Sequence, residues 1–116
     1  MNVAQVVDNG FNVLTREQRD VVDLEELNIQ SYHYCIIGQI FPDEFFSDAC
    51  QKLAEKQEIK FVDSHSVNEF AYSHGFDVNP DCGFSFATLE TEWVRRLSEE
   101  RRSIWDVWTE ANQSER

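Results

Sequence analysis

The residues of this 116-residue chain best suited to chemistry are three cysteines and three histidines: Cys35, Cys50, Cys82, His33, His65 and His74. A zinc site would use such groups. A loop that gives a tetrahedral ion two ligands usually carries them two to four residues apart. Here successive cysteines are 15 and 32 residues apart. His33 and Cys35 are close, but two residues apart on a helix they point to different faces. The spacing predicts no metal site and no cofactor. A nucleophilic thiol needs a lowered pKa and partial exposure. Cys35 lies near a helix start, yet Tyr34, Ile36 and Ile37 surround it, and Cys50 falls on an apolar stripe. Both read as buried, inert thiols.

Carboxylates are plentiful without forming a recognisable catalytic pair. Glu25-Glu26 and Glu99-Glu100 are sequential and read as solvated. Asp43, Glu44 and Asp48 crowd one turn, but a calcium loop needs alternating oxygen ligands and a glycine at its bend. There is no glycine-rich phosphate loop and no nucleophile elbow. His74, on an apolar face, reads as a core or capping histidine. Gln39 sits inside an apolar run and must find hydrogen-bond partners or the surface. The sequence therefore predicts a non-enzymatic protein.

The elements that position these residues are organised around Cys35-Ile36-Ile37-Gly38-Gln39-Ile40-Phe41, a nearly unbroken apolar run that other elements must cover. Its three isoleucines suit a strand, but its surroundings suit a helix over 33–41, with Ser31 as N-cap. Val3, Val6, Val7, Phe11 and Leu14 predict a helix over 3–14, weakened at Asp8-Asn9-Gly10. Thr15-Arg16-Glu17-Gln18 matches a capping box and predicts a short helix through Val22. A further helical turn is expected at 23–27, anchored by Leu24 and Leu27. Pro42-Asp43-Glu44 reads as the opening of a helix over 43–56. Its apolar stripe is Phe45, Phe46, Ala49, Cys50, Leu53 and Ala54.

Residues 57–63 read as a loop or short extended piece. Ser66-Val67-Asn68-Glu69 reads as a second capping box for a helix over 66–74, closed by Gly75 with Phe76 folding back. Residues 77–86 form a loop pinned by Phe84 and Phe86. A last helix runs from Ser85 or Thr88 to about Ala111. Leu89, Trp93 and Leu97 face the core, and Ile104, Trp105 and Trp108 either extend it or form a contact patch. The expected fold is all-α: a compact bundle of five or six helices around the central apolar segment, ending in a long C-terminal helix. It forms a single helical domain over 1–111, with 112–116 as a frayed tail.

Twenty-two acids against ten bases give a net charge of −12. Residues 1–90 hold 16 acids and 5 bases, and residues 91–116 hold 6 and 5. Direct binding to nucleic acid or an anionic membrane is disfavoured, and a basic partner is favoured. No apolar run reaches the roughly 18 residues of a membrane span. The N-terminus lacks a secretory pattern, and three widely spaced cysteines fit a reduced, cytoplasmic setting.

The run Cys35-Ile36-Ile37-Gly38-Gln39-Ile40-Phe41, followed by His74-Gly75-Phe76 and Leu89 to Trp93, resembles small acidic proteins of actinobacterial phages and their hosts. In that group a Cys-x-x-Gly-Gln core run precedes a Gly-Phe turn and a Trp-bearing C-terminal helix. The resemblance spans roughly residues 20–97. It implies a setting, the cytoplasm of a bacterial host cell, and carries over no catalytic residue.

Three functions are expected from these readings. The first is an interaction protein that modulates or inhibits a host protein with a basic surface. Its contact residues are Ile104, Trp105, Trp108, Glu25, Glu26, Asp43, Glu44 and Asp48. In its sharper form this protein mimics nucleic acid towards a nucleic-acid-binding protein. The second is a homo-oligomeric assembly module joined through the C-terminal Trp-bearing helix. The third and weakest is a Cys/His enzyme or metal protein.

Overall fold

A computed structural model describes the backbone of residues 2–114 and the side chains of residues 2–102. The described residues form six helices and no strand, which establishes the all-α class. Helix α1 (Val3–Val13) is opened by a reciprocal capping box: Asn2 Oδ1 accepts from the Gln5 N–H and Gln5 Oε1 from the Asn2 N–H, both at 2.9 Å. The helix runs unbroken through Gly10. A Cβ there would stand 2.0 Å from the His74 carbonyl oxygen and 2.8 Å from the Trp93 ring, so the glycine permits contact rather than marking a break. Helix α2 (Arg16–Asp20) is capped by Thr15 and Gln18 as the sequence predicts, but it ends before Val22. Residues 24–26 form a turn rather than a helix, with Asp23 Oδ1 accepting the Glu25 N–H at 3.0 Å.

The central run is helical only over α3 (Ile36–Ile40), and its cap is Cys35 rather than Ser31. The Cys35 Sγ accepts the Gly38 N–H at 3.3 Å. Ser31 instead holds the preceding turn, its Oγ accepting from the His33 and Tyr34 N–H groups at 3.3 Å. Ile36 and Ile37 are fully buried, as a covered apolar run requires. Helix α4 (Phe46–Glu55) starts three residues later than Pro42-Asp43-Glu44 suggests, because those residues form a separate turn before it. Its buried stripe is Ala49, Cys50, Leu53 and Ala54. Phe45, expected within that stripe, is 80% exposed at the N-cap.

Helix α5 (Ser64–Ser73) is capped by Asp63, whose carboxylate accepts the Ser66 N–H at 2.9 Å. Ser66 is thus the capped residue and not the cap. The expected C-terminal closure is present: Gly75 adopts φ +70°, and the Phe76 N–H reaches back to the Ala71 carbonyl at 2.9 Å. Helix α6 (Phe86–Ser114) contributes Leu89, Trp93 and Leu97 to the core. It packs on α1, while α4 packs on α3 and α5, and α5 on α1. Phe70, His74, Phe76 and Trp93 form a continuous aromatic column, with successive centroids 4.1, 6.3 and 6.0 Å apart. The Trp93 Nε1–H donates to the Gly75 carbonyl at 2.6 Å, which satisfies the one polar atom of a fully buried indole.

Arginines tie the two ends of the sequence together. Arg19 Nη1 donates to the α1 terminal carbonyls of Phe11 and Leu14, at 2.8 and 2.7 Å. Its Nε and Nη2 grip the Glu100 carboxylate at 2.8–3.2 Å. Arg101 donates to the carbonyls of Arg19 and Val22, at 3.1 and 2.6 Å. The Phe11 ring lies against two guanidinium groups, Arg19 at 4.0 Å and Arg96 at 4.7 Å.

Candidate functional site

Folding does not turn the cysteines and histidines into a reactive constellation. Cys35 and Cys50 are buried among apolar side chains, which raises both thiol pKa values, that of Cys50 to about 12. Among the described residues no group of His, Cys, Asp and Glu is arranged to hold a metal ion. His74 Nδ1–H donates to the Phe70 carbonyl at 2.8 Å, and Nε2 faces the Gln57 side-chain amide at 3.1 Å. Burial holds the ring below the usual histidine pKa, and the ring stacks within the aromatic column. Gln39 is a structural hub. Its Oε1 accepts the Asp23 N–H at 2.6 Å, and its Nε2–H donates to the carbonyls of Tyr34 and Asp23 at 2.9 and 3.2 Å.

The feature that faces outward is a groove of about 900 Å³ between the 32–33 turn, the 41–47 segment and the start of α5. Its floor and lips are Tyr32, Phe41, Pro42, Phe45, Phe46 and Val67. Tyr32 and Phe46 meet edge to face at 6.1 Å and fix one wall. Tyr32 is 78% exposed, so the wall presents an aromatic face to solvent.

Three carboxylates edge this groove: Asp43, Glu44 and Asp63, with no Lys or Arg among the lining residues. The Ser66 backbone and hydroxyl donate to Asp63 and hold its carboxyl below the usual range, so it remains charged. Glu44 Oε1 pairs with Lys52, while its Oε2 is buried without a hydrogen-bond partner among the described residues.

Of the residues expected to make contacts, Asp43 and Glu44 belong to the groove, and Asp48 follows in the first turn of α4. Glu25 and Glu26 are exposed on the 24–26 turn. The side chains of Ile104, Trp105 and Trp108 lie outside the described residues. Tyr32, Phe41, Phe45, Phe46 and Val67 were not expected to line a site.

No protein-family model matches the chain, and comparison with curated proteins and with solved structures gives no match. None of the helices searched is long and apolar enough to cross a membrane.

Proposed function

We propose that this protein is a small, non-enzymatic interaction protein that engages a partner with a basic surface and modulates or inhibits it. The observation that carries this reading is how the carboxylates are used. Residues 20–51 contain seven Asp or Glu and no Lys or Arg. Within that stretch Glu25, Glu26, Asp43 and Asp48 are exposed, with no side-chain hydrogen bond or ion pair among the described residues. The acids of α6 among the described side chains are used differently. Glu92 and Glu99 pair with Arg95, Glu100 with Arg19, and Glu90 accepts the Ile29 N–H. Within 20–51 Asp23 accepts the Glu25 N–H and Glu44 pairs with Lys52, which leaves Glu25, Glu26, Asp43 and Asp48 open to a partner. Free carboxylates next to apolar surface favour a cationic protein and speed its approach.

The resemblance to phage-associated proteins supports a bacterial host protein as the partner. A nucleic-acid-binding host protein is the sharper form, in which carboxylates occupy sites built for phosphates.

The test is capture from a bacterial lysate on the immobilised protein, beside a variant carrying Glu25→Gln, Glu26→Gln, Asp43→Asn and Asp48→Asn. Basic proteins retained by the parent, lost from the variant and released by salt are the expected result. Equal retention by both chains removes the reading. Recovery of the immobilised chain's own soluble copies alone points instead to self-assembly. Displacement of the partner by duplex DNA identifies the mimic form.

A further inference from the structure

We propose that the groove between Tyr32, Phe45 and Val67 is a docking site for a peptide segment of the partner, one carrying an apolar anchor flanked by Lys or Arg. The inference rests on the interaction-protein reading and adds the place of contact and the chemistry of the occupant.

Phe45 is the first support. The N-cap of a helix favours Ser, Thr, Asp or Asn, whose side-chain oxygen takes a free backbone N–H. Here the position holds an 80% exposed phenylalanine with no side-chain capping bond. An apolar ring held in water, where a polar cap would stabilise the helix, sacrifices local stability at the lip of a groove. Departures of this kind concentrate at functional positions. The first-turn amides of α4 are thereby left for an outside acceptor such as a peptide carbonyl.

Charge selects among occupants. The groove's acids are Asp43, Glu44 and Asp63: Asp43 is exposed and unpaired among the described residues, Glu44 pairs with Lys52, and Asp63 accepts from Ser66 while keeping lone pairs free. Lys or Arg beside the anchor supplies donors to these carboxylates. Nucleic acid has the wrong sign. So does a second copy's C-terminal segment, since residues 103–116 carry Asp106, Glu110 and Glu115 against Arg116 alone. A volume of about 900 Å³ is large enough for one or two apolar side chains.

The experiment titrates the full chain with four fluorescent synthetic peptides, the first three of about twelve residues, enough for three helical turns. One contains a Trp-Leu pair flanked by lysines. A second replaces Trp-Leu with Ser-Ser, and a third replaces the lysines with glutamates. A fourth is this chain's own residues 98–116. The first peptide is expected to bind and to shift the amide resonances of Tyr32, Phe45, Phe46 and Val67. Phe45→Ala should weaken it about tenfold, as for an anchor contact. Asp43→Asn should weaken it less and flatten its salt dependence. Phe45 and Asp43 are exposed, so both variants are expected to keep the parent's unfolding midpoint. If Phe45→Ala does not fold, Tyr32→Ala serves in its place.

Several outcomes overturn the proposal. Equal binding of the Ser-Ser peptide, or indifference to Phe45→Ala, shows that charge alone acts, and leaves the interaction reading standing. Tighter binding of the glutamate peptide or of residues 98–116 names a different occupant. Binding by none of the four removes the docking site, and the lysate capture still decides the broader function.

Discussion

At the scale of single residues, Gly10 sets two effects against each other. Helix propensity alone favours alanine over glycine by about 1 kcal/mol. The added methyl would have to displace the His74 carbonyl, 2.0 Å from its position, together with the buried Trp93 ring. Overpacking of that kind costs about 1–3 kcal/mol, and more where backbone must move. Gly10→Ala is therefore expected to lower stability by about 1–2 kcal/mol in urea unfolding, the upper half of that overpacking range less the propensity gain. A stabilised variant would mean that α1 does not lie on the end of α5.

The thiols give a second residue-scale expectation. Cys82 is partly exposed, whereas Cys35 and Cys50 are buried with raised pKa values. A thiol reagent should label Cys82 first and reach the other two only on unfolding. Rapid labelling of Cys35 in the folded chain would reopen thiol chemistry.

His74 sets the sign of a pH effect. Its folded pKa lies below the ordinary 6.5, so near and below pH 6.5 the unfolded chain binds the proton more readily. Stability is then highest above pH 6.5 and falls as pH drops through 6.5 towards the folded value. His74→Gln should flatten this slope in thermal melts between pH 7.5 and 5.5.

Secondary-structure elements are held here by charge as well as by apolar faces. Arg19 and Glu100 have side chains only 13% and 16% exposed, and Arg19 also satisfies two carbonyls at the end of α1. Hydrogen bonds to charged groups of this kind contribute about 1.5–3 kcal/mol. Glu100→Gln is expected to cost about 2 kcal/mol by that measure, read as a lower urea midpoint with an unchanged slope. Arg19→Lys should not restore it, because an ammonium cannot hold a carboxylate and two carbonyls in one planar fork. The paired Glu100 titrates below its ordinary 4.5, so its contribution is present above about pH 4.5 and is lost as pH falls through the lowered value.

Which elements could be read from the chain depended on the range of the interaction that ends them. Thr15 with Gln18, and Gly75 with Phe76, are closed by atoms within a few residues, and the sequence shows both. Asp63 was legible in principle, but Ser66 with Glu69 offered a competing box three residues on. The Cys35 cap was missed because a thiol accepts hydrogen bonds weakly and ranks low as a cap. Gln39 could be seen to need partners, but its partner Asp23 lies 16 residues away. Phe45 was misread because periodicity records apolar spacing and not where a helix begins. The groove joins residues 32, 45 and 67, and no local pattern carries that information.

At the scale of the whole molecule, the fold is closed by contacts between the first and last helices. Trp93 and Glu100 stand against partners near the N-terminus or at the turn after α5. Removal of residues 93–116 takes away the indole that ends the aromatic column and the Glu100 and Arg101 side of the arginine latch together. Such a chain is expected to keep helical circular dichroism, lose its sharp unfolding transition and bind a hydrophobic dye. A cooperative transition in the truncated chain would show that α1–α5 form a core of their own.

The same closure bears on the order of synthesis. α1 leaves the ribosome long before α6 exists to cover it, and at translation rates of 5–20 residues per second the gap is on the order of ten seconds. During that interval Val6, Val7 and Val13 lack their final cover, and the column ending in Phe76 lacks its indole. Apolar surface exposed in this way is prone to aggregation until the last helix arrives. Slower decoding of residues 14–92 would then lower the yield of folded protein without changing one side chain of it.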